Sequence, residues 1–294
     1  MNKSSRHHYI PEFFIKGFAD RDSKLFVFDL KEKRFKVKKF SPKQIFFEWN
    51  RNTFEINNEE TDFLETSIYK WIDNRFSKFF EEIRDSDELM KINLWQLMHL
   101  QLFVAHIFWR IPRTDGEMQR IFEYKSPKEL GFTIKNIDTQ ENASKEFYDE
   151  IMKEGAFIEA YRSVFPVLEH IQDDPIQDID NWYIYGAPKE RGFHICGDNP
   201  VITVDDRSMR VLQNELIFPL TKNHIIIRLK KNTQKPQLSP ELIVKINLVI
   251  FLQSNRYVCG SRKDFIDALN SLAGEYKKEE QLEKLKKEIF NEIR

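Results

Sequence analysis

Two adjacent histidines stand near the beginning of the chain, in the stretch SRHHYIPEFFIKGF. An imidazole titrates close to neutral pH, so His7 and His8 are candidates for general acid–base catalysis. Adjacent side chains of an extended segment point in opposite directions, so we expect at most one of them to face a site shared with distant residues such as Arg110. Pro11 and three phenylalanines follow, and each fully buried ring would stabilise the attachment of this segment by about 2 kcal/mol.

A polar stripe runs along a helix predicted over residues 91–110. Gln96, His99, His106 and Arg110 are spaced by three, seven and four residues, which places them within about 80° of one another on a helix. Arg110 keeps its charge, so a buried Arg110 must contact a carboxylate or a bound anion. Two interpretations stay open, namely a structural ion pair with hydrogen-bonded histidines, and an anion pocket whose imidazoles transfer protons.

The stretch HICGDNPVITV is the second candidate, because it places Asp198 and Asn199 in a turn after a short β-rich run. Asp-Asn-Pro after glycine is common turn chemistry, and a carboxylate at the end of a strand is also where sites are often built. His194 and Cys196 would face the same side of that run, and with His7 and His8 they could bind zinc. No ligand pair of standard spacing accompanies them, so the cofactor is undefined, with a divalent metal ion as one option.

Helices must position most of these residues in the first half of the chain. Apolar residues recur every three or four positions from 60 to 84, and the same periodicity predicts helices over about 91–110, ended by Pro112, and about 143–170. Before them, KLFVFDL and RFKVKKF flank the turn KEK and predict a β-hairpin. The first lobe, residues 1–172, is therefore expected to be a hairpin plus helices.

The second half changes to short β-rich runs. WYIYGA, FHIC, VITV, RVL, LIFPL, HIIIRL and RYVCGS predict strands of a largely antiparallel sheet, interrupted by a helix over 240–253. We expect a sheet lobe over 173–274 with a helix over 262–273, then a charged C-terminal helix over 275–294, within a single family domain. The fold class is α+β. The apolar stripe of the last helix, within 275–293, would dock on its own domain or pair with a partner protein or a second copy.

Composition limits the class of protein. The 294 residues include 26 Phe and only 9 Gly, which is typical of a globular chain, and the formal net charge of −1 gives no global attraction to nucleic acid or anionic membranes. The most apolar stretch, 94–109, is shorter than the roughly 20 residues that a membrane span needs, so we expect no membrane partner. Two cysteines and the lack of a signal-peptide pattern predict a cytoplasmic location.

Taken together, HHYIPEFFIKGF, VFDL, HIFWRIPR, GDNPV and FPLT resemble the domain of unknown function 4238 family. The motifs of that family correspond here to His7, His8, Tyr9, Pro11, Phe14, Arg110, Pro112, Asp198, Asn199, Pro200, Pro219 and Leu220. Gly197 stands where the family pattern has serine, and His106 where glutamine is frequent. The resemblance implies a shared set of polar positions, His7 or His8 with Arg110, Asp198 and Asn199, which one assembled site explains most simply.

These residues predict a hydrolase that acts on a phosphate-bearing substrate, of a nuclease or phosphodiesterase type, in a bacterial defence or stress setting. A histidine would act as general acid or base, Arg110 would bind phosphoryl oxygens, and Asp198 with Asn199 would orient water or a metal ion. Nucleic acid or a nucleotide is the expected partner, with KEKRFKVKKF as one basic cluster that could hold a polyanion. The alternative is a non-catalytic sensor or protein-interaction module whose polar stripe is structural.

Overall fold

The computed structural model describes residues 6–56, 59–85, 93–126, 128–136, 138–172, 179–186, 193–204, 210–230, 238–276 and 278–294. Its strands are β1 (Arg6–His8), β2 (Phe26–Asp29), β3 (Arg34–Phe35), β4 (Phe47–Trp49), β5 (Phe54–Ile56), β6 (Glu59–Thr61), β7 (Trp182–Gly186), β8 (Cys196–Gly197), β9 (Ile202–Thr203), β10 (Leu216–Pro219), β11 (His224–Arg228) and β12 (Tyr257–Gly260). Its helices are α1 (Glu12–Lys16), α2 (Lys70–Asp85), α3 (Leu94–Arg110), α4 (Asp115–Tyr124), α5 (Lys145–Ile151), α6 (Gly155–Gln172), α7 (Pro240–Gln253), α8 (Lys263–Ala273) and α9 (Glu279–Ile293). A π-helical segment over Leu64–Tyr69 leads into α2.

Two antiparallel four-stranded sheets form most of the β part of this α+β fold, and the pairs β1-β4 and β5-β6 form two small sheets within the described residues. One has the order β7-β11-β10-β9, and the other has the order β3-β2-β12-β8. The predicted N-terminal hairpin is β2 and β3, and its strand β2 pairs with β12 so that Tyr257 lies opposite Asp29. The hairpin of the first half therefore completes a sheet built from the second half of the chain.

Two apolar clusters hold the elements together. The larger cluster joins α1, α2 and α3 to strands of the second half, with Phe14, Phe103 and Phe218 in mutual ring contact. The smaller cluster packs α7, α8 and α9 on the sheet residues Phe28 and Val258. Phe14 and Phe18 are fully buried, so the N-terminal segment is anchored through its phenylalanines as expected.

Most predicted helices are confirmed, and the differences have local causes. The third predicted helix is divided into α5 and α6, because Lys153 and Glu154 close tight turns on Glu150 and Ile151 and Gly155 follows, a poor helix former. The run RVL was predicted to be a strand, and this was wrong. Its residues start a 3-10 turn over Val211–Gln213, where the Leu212 N–H donates to the Glu169 carboxylate at 2.8 Å.

The segment over 91–92 and the connector over 173–178, where a predicted helix start and a lobe boundary fall, lie outside the described residues. The apolar stripe of α9 is buried against its own chain, with Leu285, Ile289 and Ile293 at most 3% exposed. Within the described residues, no helix combines the length and the apolar character that crossing a bilayer requires.

Candidate functional site

Three of the sequence motifs meet at one cavity of about 440 Å³, here called the motif cavity. Tyr9 comes from the N-terminal motif, Pro112 from the segment after α3, and Asp198 with Asn199 from the turn after β8. The described lining consists of Tyr9, Lys31, Phe47, Glu48, Pro112, Arg113, Asp198, Asn199, Gln253, Asn255, Arg256 and Tyr257. Residues far apart in sequence therefore share a concave site, which is the usual form of a ligand site.

The Asp198 carboxylate shapes one wall of the motif cavity. Its oxygens accept hydrogen bonds from three consecutive backbone amides, those of Asn255 at 2.7 Å, Arg256 at 2.7 Å and Tyr257 at 3.1 Å. Burial raises the pKa of Asp198, and these hydrogen bonds act in the opposite direction by stabilising its charged form. Asp198 thereby fixes the turn between α7 and β12 that carries Arg256 and Tyr257 into the cavity.

The amide side chains of Asn199 and Gln253 connect two segments of the cavity wall next to Asp198 by hydrogen bonds. Gln253 Nε2 donates to the carbonyl oxygens of Asn199 at 2.6 Å and Val201 at 3.0 Å, and Asn199 Nδ2 donates to the Gln253 carbonyl at 3.4 Å. These bonds leave Asn199 Oδ1 and Gln253 Oε1 buried without a hydrogen-bond partner among the described residues. Since a buried acceptor without a partner is costly, both atoms are suited to accept a hydrogen bond from a water or ligand N–H or O–H group.

The lining carries an excess of one positive charge. Lys31, Arg113 and Arg256 contribute three cations, while Glu48 is the carboxylate of the lining besides Asp198. Glu48 is neutralised in part by Arg51, whose Nη1 donates to Glu48 Oε2 at 2.6 Å. The net field of the cavity therefore favours an anionic ligand.

Aromatic rings complete the lining. Tyr9, Phe47 and Tyr257 contribute to it, and the Arg256 guanidinium carbon lies 4.8 Å from the Tyr257 ring centre. Burial is the main cause of a strongly raised Tyr9 pKa, and the negative charges of Asp198 and Glu48 add to it. Tyr9 therefore presents a neutral hydroxyl at physiological pH.

The two histidines lie beside the cavity and do not belong to its described lining. His7 is fully buried, and its Nδ1 accepts a hydrogen bond from the Asn52 N–H at 2.8 Å. His8 lies on the opposite side of β1, with Nδ1 3.8 Å from Glu12 Oε1 and a buried Nε2 that has no hydrogen-bond partner among the described residues. Burial and the positive charge of Arg110 lower the pKa of His8 to about 4, so its imidazole is neutral at pH 7.

In the polar stripe of α3, His99, His106 and Arg110 contact α2, and no residue of the stripe belongs to the described cavity lining. Arg110 is 4% exposed, and its Nη1 donates to Asp73 Oδ1 at 2.8 Å while its guanidinium carbon lies 4.2 Å from the Tyr69 ring centre. His106 contacts the edge of Phe76 on α2, and burial lowers its pKa to about 3. Arg110 thus contacts the carboxylate that its burial requires.

His99 faces α2 as well, with its ring against Phe76, and Gln96 caps the start of α3 by accepting from the Asn93 N–H at 3.0 Å. The structure therefore brings Asp198 and Asn199 to the cavity, and it places His7, His8, His106 and Arg110 in the layer around it.

A chain of ion pairs, in which Arg51 and Arg162 are buried and Glu48 and Asp115 are partly exposed, connects that layer to the cavity. Arg51 bridges Glu48 and Asp115, and its Nη2 also donates to the Arg110 carbonyl oxygen at 3.2 Å. Asp115 in turn accepts from Arg162 on α6. These contacts hold the Glu48 carboxylate at the cavity wall from α3, α4 and α6.

Sequence reasoning missed Glu48, Gln253, Arg256 and Tyr257 as site residues, and it noted Lys31 only as part of the basic cluster KEKRFKVKKF. Lys31 lies in the turn KEK and Tyr257 in the run RYVCGS. Turn and strand formation alone explain these residues, so their patterns do not indicate a site. The register of β1 with β4, which pairs His7 with Glu48, is set by tertiary packing and carries no local signal. A charged residue directly beside an aromatic one, as in Arg256-Tyr257, is the signal that could have indicated them.

The described residues also form another cavity and place two cysteines opposite each other. A larger cavity of about 670 Å³ lies between α4 and α5, lined among others by Phe122, Lys125 and Tyr148, and it contains none of the residues that the motifs predict. Within the described ranges, no three His, Cys, Asp or Glu side chains come together as a metal-binding group. Cys196 lies opposite Cys259 across β8 and β12, and both are fully buried.

Fold and site together define an α+β protein with a cavity at the meeting point of three sequence motifs. The chain matches the family model described as "Protein of unknown function (DUF4238)" over residues 6–264, and it belongs to that family. The matched range includes every residue of the described cavity lining. Comparisons with curated proteins and with solved structures gave no match.

Proposed function

We propose that the motif cavity binds a phosphate-bearing ligand of nucleotide size. The observation that carries this proposal is the placement of Lys31, Arg113 and Arg256 around one concave site. Lysine and arginine are the side chains that bind phosphate oxygens, and arginine does so through paired N–H groups. A volume of about 440 Å³ lies within the range of about 300–1,000 Å³ that is common for small-molecule sites.

The rest of the lining suits a nucleoside attached to that phosphate. The partly exposed rings of Phe47 and Tyr257 offer surfaces for stacking on a base, and Tyr9, which is 6% exposed, lies beside them in the lining. Asn199 Oδ1 and Gln253 Oε1 supply acceptors without partners in the described structure, which an amino or hydroxyl group of the ligand would satisfy. Cytoplasmic nucleotides fit this description, in agreement with the free thiols of Cys196 and Cys259.

Hydrolysis of the ligand is the second candidate, and the position of Glu48 favours it. Its carboxylate lines the cavity together with the three cations and is held by Arg51 at 2.6 Å. In this mechanism Glu48 accepts a proton from water, the water oxygen attacks phosphorus, and the cations stabilise the charge on the phosphoryl oxygens while the ester oxygen leaves. Asp198 is committed to three backbone amides, and the buried His8 and Arg110 support the layer behind the site.

Calorimetric titration of the full chain with AMP, ATP, adenosine and inorganic phosphate tests the proposal. We expect AMP or ATP to bind at least about tenfold more tightly than adenosine, because a charge-assisted hydrogen bond contributes about 1.5–3 kcal/mol. Lys31→Ala and Arg256→Ala should each weaken binding by about tenfold, while Lys284→Ala on α9, an exposed residue, should leave it unchanged. No binding of any phosphorylated compound at millimolar concentration would overturn the proposal.

Product analysis on the same samples separates the two candidate functions. Turnover that Glu48→Gln abolishes, with nucleotide affinity retained, supports a hydrolase. Tight binding without turnover supports the non-catalytic alternative, a sensor that responds to the ligand.

A further inference from the structure

A row of side chains leads from the motif cavity across the sheet β3-β2-β12-β8 to its edge. Tyr257 on β12 lies opposite Asp29 on β2, and Asp29 lies opposite Arg34 on β3. Residues directly opposite one another in antiparallel strands project from the same face. Because Tyr257 lines the cavity, the face that carries Asp29 and Arg34 is continuous with it.

Lys36 reinforces this connection. Its Nζ lies 2.9 Å from Asp29 Oδ2 and 5.7 Å from the Tyr257 ring centre. The Tyr257 ring is thus approached by Lys36 and by Arg256, whose guanidinium carbon is 4.8 Å from the ring centre. One tyrosine therefore contacts a cation of the cavity lining, Arg256, and a cation of the sheet face, Lys36.

The hairpin that forms this edge has an excess of positive charge. Residues 31–39, KEKRFKVKK, contain six lysines or arginines and one glutamate. Asp29 and Glu32 pair with Lys36, Glu32 pairs also with Arg34, and Asp20 pairs with Lys39. The side chains of Lys31, Lys33 and Lys38 form no ion pair within the described part of the chain, so the hairpin keeps unneutralised cations. The whole chain has a net charge of −1, so the positive charge of the hairpin is a local feature. It would attract a polyanion to the surface beside the cavity.

We propose that the ligand of the motif cavity is one nucleotide of a single-stranded nucleic acid, whose backbone continues over the β2–β3 hairpin. This inference rests on the proposed function, since the strand is anchored by the phosphate and base bound in the cavity. A single strand fits better than a duplex, because only an unstacked base can enter a concave site and stack on its aromatic rings. The unneutralised lysines then bind successive phosphates without reading sequence.

Fluorescence anisotropy with a labelled 12-nucleotide single strand, as DNA and as RNA, tests this inference on the full chain. The single strand should bind at least about tenfold more tightly than AMP, since each added phosphate contact releases counterions. Lys33→Glu combined with Lys38→Glu should reduce this affinity by about tenfold or more, lower the salt dependence of binding and leave AMP affinity unchanged. The matched control is Lys284→Glu with Lys287→Glu on α9, which should change neither affinity. Stronger binding of RNA than of DNA, or the reverse, supports the inference and identifies which nucleic acid is preferred.

Different negative results would reject the strand inference alone or together with the proposed function. If AMP binds and the single strand binds no more tightly than AMP, the strand inference fails while the proposed function stands. If neither binds, both fail. Equal affinity for polyglutamate or for a blunt duplex of the same length also overturns the inference, as does strand binding that Arg256→Ala leaves unchanged.

Thermal unfolding of the doubly substituted hairpin variant shows whether it is folded. If it is not, Lys33→Gln with Lys38→Gln removes the same two charges, and it must lower the salt dependence for the inference to hold.

Discussion

Gly197 is packed directly against Ser254, so that a Cβ atom at position 197 would overlap the Ser254 hydroxyl oxygen and lie 3.1 Å from Ile250 Cγ2. The hydroxyl donates to the Ile250 carbonyl oxygen at 2.7 Å and is therefore not free to move away. The backbone at Gly197 approaches α7 closely, immediately before the Asp198 turn of the cavity.

We expect Gly197→Ala to lower the free energy of unfolding by about 1–3 kcal/mol, the usual cost of overpacking a filled interior. Ser254→Ala removes the oxygen that the new methyl group would meet, so the combined variant should recover part of that loss. A double-mutant cycle measured by urea denaturation should give a coupling energy of about 1 kcal/mol.

Gly116→Ala is the matched control, because no atom lies within 4 Å of a Cβ placed at that helical position. It should leave stability unchanged or raise it by up to about 1 kcal/mol. Additive effects of Gly197→Ala and Ser254→Ala would contradict the proposed contact.

The sequence identified segments of the site better than it identified residues. His7 and His8 drew attention to the N-terminal motif, but the next residue, Tyr9, lines the cavity. Likewise, Arg110 indicated the end of α3, and the lining begins two residues later with Pro112. The chemical type of a residue is visible in a sequence, whereas the direction of its side chain is decided by the elements packed against it.

The fold could also be predicted only in part, because helices follow from local periodicity whereas strand pairing depends on residues far apart in the sequence. The periodicity of α3 and α7 is local, so both helices could be predicted within a few residues of their ends. The division of the strands into two sheets depends on pairings such as that of Val27 with Cys259, which are more than 200 residues apart. The alternating pattern of β2 predicts a strand, but it does not indicate which strand pairs with it.

The buried ion pair between Arg110 and Asp73 gives a second prediction. Asp73→Ala should lower the free energy of unfolding by about 2–4 kcal/mol, because it removes the hydrogen-bonded carboxylate of buried Arg110 and leaves only Glu65, whose Oε2 lies 4.0 Å from Arg110 Nη2. Asp73→Asn keeps an oxygen acceptor for Arg110 Nη1 and should cost less. Both are measured by urea denaturation at pH 7.

Ligand affinity shows whether this pair is structural or belongs to the site. If Arg110 acts only in the layer behind the cavity, folded Asp73→Asn protein should bind AMP as tightly as the wild type does. A loss of AMP affinity by tenfold or more in that folded variant would instead show that the Arg110–Asp73 pair contributes to ligand binding.

The burial of His8 predicts a pH-dependent stability. Its pKa in the folded protein is lowered to about 4 from an ordinary value of 6.5, through burial and the positive charge of Arg110. Between these two values the unfolded chain binds a proton that the folded protein does not, so stability is fully present above pH 6.5 and is lost as the pH falls towards 4. The loss attributable to His8 should reach about 3 kcal/mol at the lower limit.

His8→Asn removes this titration and leaves the other buried histidines in place. His106 and His194, whose pKa values burial lowers to about 3, also destabilise the protein at low pH, so the comparison depends on the difference between variant and wild type. Free energies of unfolding from urea titrations at several pH values between 7 and 4.5 should fall less steeply for His8→Asn, by up to about 1.4 kcal/mol per pH unit. Parallel curves would mean that His8 is protonated equally in the folded and unfolded chains, and that its imidazole is open to solvent or paired with Glu12.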